Sequence, residues 1–224
     1  MFDSIAPAYD VMNRMMTLGI DRIWRNKAVK MLKKTIRPGG DILDVATGTG
    51  DLALLLDSKL QPAKVTGIDL SENMIEIARQ KCQQAGVDTR IEFMTADCLA
   101  LPFADNSFDC ITVAYGVRNF EHLLQGYKEM FRVLRPGGIL CVIELSTPTN
   151  PVVKPLYKFY THNIIPAVGR LVSHDSRAYT YLPESIAAVP QGYDMTSLMT
   201  EAGFDHTAFR RLTFGVCTIY MATK

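Results

Sequence analysis

The sequence predicts an α/β fold: a Rossmann-like, seven-stranded, mainly parallel sheet with its last strand antiparallel and helices on both faces. Three observations carry this. Short apolar runs alternate with helix-period segments from Asp41 onward, the pattern of a parallel sheet covered on both sides. The run Asp41-Ile-Leu-Asp-Val-Ala-Thr-Gly-Thr-Gly-Asp51 leads from a strand through a glycine-rich turn into a helix. A second apolar run, Val65-Thr-Gly-Ile-Asp-Leu70, then ends in an acid, completing a mononucleotide-type βαβ unit.

The elements follow in order. Residues 1–37 read as an N-terminal helical segment. Val11, Met12, Met15 and Met16 fall near helical spacing, as do Ile23, Trp24, Val29 and Leu32. Pro38-Gly39-Gly40 breaks the chain. Strands are expected over Ile42 to Ala46, Lys64 to Asp69, Ile91 to Thr95, Phe108 to Ala114 and Ile139 to Leu145. Helices are expected over Asp51 to Leu60, Ser71 to Ala85 with Ser71 as N-cap, and His122 to Leu134, closed by Arg135-Pro136-Gly137-Gly138. A helix from Met195 to Ala202 stops at Gly203, and Phe204 to Leu212 and Val216 to Thr223 read as an antiparallel pair. Residues 146–191 interrupt the alternation with many aromatics, among them Tyr157, Phe159, Tyr160, Tyr179 and Tyr181. They read as a helical insertion hanging over the ligand edge. The whole, 1–224, reads as one domain.

Bulk properties exclude several classes. A net charge of +1 gives no reason to invoke nucleic acid. The five cysteines (Cys82, Cys98, Cys110, Cys141 and Cys217) form no CxxC pair, and the four histidines are isolated, so no metal site is expected. Cys110, Cys141 and Cys217 lie in apolar runs and read as small core residues, consistent with a cytosolic chain. There is no signal peptide and no apolar stretch long enough to span a bilayer. The abrupt start at Phe2 leaves room for a longer native N-terminus.

Right-handed crossovers place the strand C-terminal ends along one edge. The Gly48 turn, Asp69, Asp97 and Tyr115 to Asn119 all follow strand ends and should gather there. Asp44 precedes the small residues Ala46, Gly48 and Gly50. An acid here would repel a diphosphate but favour a cation, such as the sulfonium and α-amino group of S-adenosylmethionine. This weighs against a nicotinamide-dependent oxidoreductase and against a purely structural turn. Asp69 can accept both ribose hydroxyls, while Ser71 is available to cap the next helix. Arg118 would lie near the departing methyl group. An arginine is a poor base, but it can orient a water or stabilise an oxyanion. The competing reading is an ion pair to Glu121 or another nearby acid.

These residues make the chain similar to the demethylmenaquinone and ubiquinone-precursor C-methyltransferase family, of the class I S-adenosylmethionine-dependent fold. The similarity rests on Tyr9-Asp-Val-Met-Asn13, Gly19-Ile-Asp-Arg-Ile-Trp-Arg25, Asp44 to Asp51, Leu101-Pro-Phe103, Tyr115-Gly-Val-Arg-Asn119, Arg132 to Gly138 and Tyr181-Leu-Pro-Glu-Ser-Ile186. There are departures. Members usually have Cys-Gly-Thr-Gly where Thr47 stands and often Phe-Gly-Leu-Arg-Asn at 115–119. The usual Phe-Pro is Val189-Pro190 here.

The resemblance implies S-adenosylmethionine as cofactor, contacted by Asp44, Gly48, Thr49, Gly50, Asp69, Leu70, Met74, Asp97, Cys98 and Ala114. Asp97 would take the adenine amino group, and the Cys98 backbone the ring. It also implies C-methylation of a reduced polyprenyl quinol, with Arg118, Asn119 and Tyr9 as the catalytic set. Asn119 would orient a water or the quinol oxygen, and Tyr9 would close over the donor or touch the acceptor. For both, a turn hydrogen bond and a packed aromatic are equally good readings. The isoprenoid tail implies an apolar groove or a peripheral contact at the inner face of the membrane, with Met12, Met15, Met16 and Leu156 to Val172 as candidates. A homodimer, another phenolic or lipid-like acceptor, and a non-catalytic S-adenosylmethionine-binding protein stay open as alternatives.

Overall fold

The structure, a computed structural model, describes residues 14, 16–164 and 177–224, apart from the side chains of 162 and 177–181. The residues Tyr9, Met12 and Met15, and the side chains of Tyr179 and Tyr181, lie outside this set.

The sheet begins with β1 (Asp41–Val45), followed by β2 (Lys64–Asp69), β3 (Ile91–Thr95), β4 (Phe108–Ala114), β5 (Leu134–Leu145), β6 (Asp205–Leu212) and β7 (Cys217–Thr223). Their spatial order is β3-β2-β1-β4-β5-β7-β6. Every neighbour is parallel except β7, which runs antiparallel to both β5 and β6. The strand order reverses between β1 and β4, and the strand ends there open a crevice.

Period-two alternation explains the two cores. Leu43, Val45, Ile111, Val113, Leu140 and Val142 face one layer, formed with α4 (Leu123–Val133) and α7 (Tyr193–Glu201). Ile42, Cys110, Ile139, Cys141 and Ile143 face the other, against α1 (Asp21–Leu32), α2 (Asp51–Leu60) and α3 (Glu72–Ala85). A central strand buried on both faces must be apolar at nearly every position, as β5 is from Ile139 to Ile143. Cys110, Cys141 and Cys217 are fully buried, and all five thiols are free. Burial pushes the Cys98 and Cys141 thiols up to about 12.

Ser71 caps α3 as expected, its hydroxyl accepting from the Met74 amide at 3.2 Å. Two expectations need correction. Ile23 does not join the buried face of α1 but is 64% exposed. The Arg135-Pro136-Gly137-Gly138 segment does not separate helix from strand: β5 starts at Leu134 and runs through it. Leu134 pairs with Phe108 and Ile139 with Cys110, so the intervening residues bulge out of the ladder. The Gly137 and Gly138 backbones bond Lys224 at 2.7 and 3.1 Å, which pairs groups the bulge would otherwise leave bare. The inserted region contains α5 (Val153–Phe159), a π-type turn (Tyr160–Ile164) and α6 (Arg177–Ala188).

Phe93 of β3 props the glycine turn from below. A Cβ on Gly67 would sit 2.6 Å from its ring, and one on Gly50 would sit 2.9 Å away. Gly67→Ala therefore forces Phe93 off its site and should lower Tm by roughly 2–8 °C, the effect of overpacking by a kcal/mol or two in a chain this size. Adding Phe93→Leu should recover most of that loss in thermal melts; strictly additive losses would show that the ring is not the obstacle.

Candidate functional site

Two cavities meet at the crevice. One, of about 260 Å³, is lined by Asp69, Leu70, Met74, Asp97, Cys98 and Asn119 among others. The second, of about 270 Å³, is lined by Asp44, Thr49, Asp51 and Arg118 together with apolar residues of α1 and the insertion. Ala46, Gly48, Ala114 and Tyr115 line both and form the junction.

The junction is built from strained backbone. Ala46 and Tyr115 both hold positive φ, 52° and 60°, a conformation side chains resist. Gly116 allows the two turns to touch: a Cβ there would lie 2.6 Å from that of Ala46. Tyr115 turns its ring into the core. Its hydroxyl is buried and has no hydrogen-bond partner among the described residues, and burial holds its pKa well above the ordinary phenol range.

Asp44 is buried at the end of β1. Thr47 donates to Oδ2 at 2.7 Å and Thr112, on β4, to Oδ1 at 2.6 Å. Burial outweighs these bonds and raises its pKa to about 6. Among the described residues it forms no ion pair, so the cavity holds a desolvated carboxylate. Asp69, at the end of β2, accepts from the Gly48 amide at 2.9 Å and the Ser71 amide at 3.0 Å. A carboxylate offers about four acceptor positions, so these bonds orient Asp69 without exhausting it. Asp97 turns one oxygen back on the Leu99 amide at 2.8 Å. Leu70 is 68% exposed at the cavity rim.

Not every expected residue faces a ligand space. Gly50 lines neither cavity; it caps α2 with a left-handed backbone and shapes the turn. Arg118 and Asn119, adjacent on a 3₁₀ turn (Val117–Asn119), part company. Arg118 faces the larger cavity and Asn119 the smaller. Arg118 does pair with an acid, though not Glu121: its Nη1 lies 2.8 Å from Glu144 Oε1 on β5, and it also donates to the Tyr115 carbonyl. Both partners are buried, their side chains 8% and 2% exposed. The Leu145 and Arg118 amides also donate to Glu144, at 2.8 and 3.3 Å. Nearby Tyr157 has its pKa pushed up to about 12 by burial, tempered by the Arg118 charge.

Sequence reasoning missed Glu144, Leu182 and Ile186 as parts of this site, while Tyr157 falls in the Leu156 to Val172 stretch it named. The acid in the apolar run Cys141-Val-Ile-Glu-Leu145 was the available signal, because a carboxylate in a central strand needs a partner. No helix among the described residues is long and apolar enough to cross a membrane, and no metal-binding cluster occurs among them.

The fold is that of S-adenosylmethionine-dependent methyltransferases. Such an enzyme from Aquifex aeolicus superimposes with a TM-score of 0.64 at 21% identity, covering 87% of this chain and 88% of that one. A structure from Thermotoga maritima, described as a SAM-dependent methyltransferase and possible histamine N-methyltransferase, gives 0.67 at 19% identity, covering 100% and 98%. The profile of the ubiE/COQ5 methyltransferase family matches residues 1–224, and the chain belongs to that family. A demethylmenaquinone methyltransferase of Bacteroides fragilis is 50% identical over all of this chain and 91% of its own length. A ubiquinone/menaquinone biosynthesis C-methyltransferase of Geotalea daltonii is 45% identical over 100% and 94%. The chain is thus an S-adenosylmethionine-dependent methyltransferase. The site fits that cofactor: one cavity presents Asp69 and an exposed leucine, suited to a nucleoside, and the other presents a buried acid with no ion pair among the described residues, suited to a cationic group.

Two outcomes follow. The folded state releases the Asp44 proton near pH 6, the unfolded chain near 3.8. The folded state therefore binds more protons between these values, and stability falls as pH rises through that window, by about 3 kcal/mol in all. Thermal melts of unliganded Asp44→Asn should show a Tm advantage over wild type that grows from pH 4 to 6 and is flat above; a variant less stable than wild type at pH 7.5 contradicts this. Tyr115→Phe removes a buried, unpaired hydroxyl and should raise Tm by a few degrees, where a loss would mean the hydroxyl is bonded after all.

Proposed function

We propose that the chain transfers a methyl group from S-adenosylmethionine to a ring carbon of a reduced polyprenyl quinone precursor, demethylmenaquinol, giving menaquinol. The observation that carries this is the junction. A nucleoside-sized cavity opens through Ala46, Gly48, Ala114 and Tyr115 onto a second, largely apolar cavity holding Arg118. Relatives named for demethylmenaquinone methylation, 48–50% identical over the full chain, support the acceptor.

The cofactor supplies an electrophilic methyl group on a sulfonium. On this reading Asp69 holds the ribose, Leu70 and Met74 cover the adenine, and Asp97 and the Cys98 backbone meet its edge. Asp44 and Thr49 face the amino-acid end, Gly48 and Ala114 let the cofactor cross between the cavities, and Gly50 shapes the turn. Carbon is a weak nucleophile, so the acceptor's adjacent hydroxyl would give its proton to a water and push charge into the ring; the carbon would then take the methyl as its bond to sulfur breaks, leaving S-adenosylhomocysteine, and release its own hydrogen as a proton to water. Arg118 is the residue placed to stabilise that developing phenolate. It stays protonated throughout, and in a dry cavity such a charge is worth far more than in water. Glu144 is the positioning residue that holds the guanidinium in place. Asn119, across the junction, would orient a water or the quinol oxygen there. Tyr9 lies outside the described residues and keeps its expected role of closing the site. Positioning of the two reactants accounts for on the order of 7–11 kcal/mol of barrier lowering.

The isoprenoid tail would leave along Met16, Leu18, Tyr160, Leu182 and Ile186. Leu18, Val152, Leu156, Phe159 and Ile164 are exposed apolar side chains, which supports contact with a membrane surface.

The test is transfer of labelled methyl to chemically reduced demethylmenaquinol, with the benzoquinol precursor as comparison. Arg118→Ala alone would strand a buried Glu144 charge, so Arg118→Gln combined with Glu144→Gln is the cleaner variant. We expect kcat to drop by about 10²–10³ with cofactor affinity little changed. Undiminished turnover removes Arg118 from the chemistry, and wild type that labels neither quinol removes the acceptor.

A further inference from the structure

Arg25 projects from α1 into the wall of the larger cavity, its side chain 13% exposed. Its Nη2 makes both of its ion pairs, with Asp21 on its own helix and with Asp51 of the glycine turn at 3.2 Å. Asp21 is buried and also accepts from the Thr17 hydroxyl at 2.9 Å. Two acids on one nitrogen fix the plane of the guanidinium. Its Nε and Nη1 hydrogens bond no described residue, and Arg25 lines the cavity.

The surrounding charges are paired in an informative way. Lys81 lies 2.8 Å from Asp51 and donates to Thr49 at 2.9 Å. Although burial pushes the other way, Lys81 and Arg25 hold the Asp51 carboxyl below its usual range. That leaves Asp44, whose pKa Arg25 is close enough to lower, as an acid without an ion-pair partner among the described residues. One wall thus offers a fixed guanidinium with further N–H donors and, beside it, the Asp44 carboxylate, which pairs with two hydroxyls but with no described cation. The ligand end that matches both is a zwitterion carrying a carboxylate and an ammonium group. A guanidinium N–H gives a carboxylate a charge-assisted hydrogen bond, stronger than one from a neutral donor.

We propose that Arg25 binds the carboxylate of the donor's amino-acid end while Asp44 faces its ammonium. This rests on the donor site proposed above. The competing role is mechanical, in which Arg25 merely fastens α1 to the glycine turn. Ligand truncation separates the two. Titration calorimetry would compare wild type and Arg25→Gln, each with S-adenosylhomocysteine and with 5′-methylthioadenosine, which keeps the nucleoside thioether and lacks the amino-acid end. The expected result is a loss of about 10–100-fold in affinity for S-adenosylhomocysteine, with 5′-methylthioadenosine held within about two-fold. Equal losses for both ligands, or no loss for either, overturn the assignment. Arg25→Lys keeps a cation between Asp21 and Asp51 but not the Nε and Nη1 donors, and should lose part of the same preference if the glutamine variant does not fold. Wild type supplies a check without any substitution: decarboxylated S-adenosylhomocysteine should bind about ten-fold or more weakly than the parent, and equal affinity overturns the proposal. Failure of wild type to bind S-adenosylhomocysteine at all would instead remove the donor site itself.

Discussion

The Asp44 carboxylate is the constraint on which the rest of the site depends. It sits at the tip of a central strand, out of water, with one hydroxyl from its own turn and one from β4. Those two bonds tie the glycine turn to the sheet across the strand reversal. Asp69 secures the same turn from β2 through the Gly48 amide. The turn is thus fastened on both sides by acids and propped beneath by Phe93. A desolvated charge would be a poor choice for stability alone. Its presence makes sense where a cation completes the site.

The geometry divides the labour between two neighbouring side chains. Arg118 and Asn119 leave the same 3₁₀ turn in different directions, one toward the apolar cavity and one toward the nucleoside side. The Glu144 carboxylate is held by Arg118 Nη1 and two backbone amides, which fixes the guanidinium against β5.

Much of this was legible in the sequence because it is local. A strand, a glycine turn and a capped helix announce themselves within a dozen residues, so β1 through α3, the Ser71 cap and the positions of Asp44 and Asp69 were accessible. What was not accessible depends on the lateral neighbours of strands. Glu144 meets Arg118 because β4 and β5 lie side by side, a pairing between residues far apart in the chain. The bulge at Arg135 to Gly138 escaped for a related reason: a Pro-Gly-Gly segment reads as a stop, and only the partner strand and Lys224 reveal that the ladder resumes around it. Arg25 was seen as part of a helix, and its role depends on acids contributed by two elements.

The five free thiols carry a consequence for an enzyme of this kind. Quinols with an unsubstituted ring carbon coexist with their oxidised forms, which are electrophiles that add thiolates and arylate proteins. Here every cysteine is buried, and burial holds each thiol in its protonated, unreactive form. Cys98, the one bordering the nucleoside cavity, is shielded in the same way. The packing that buries the sulfur side chains therefore also keeps the thiols of the folded protein from reacting with such electrophiles.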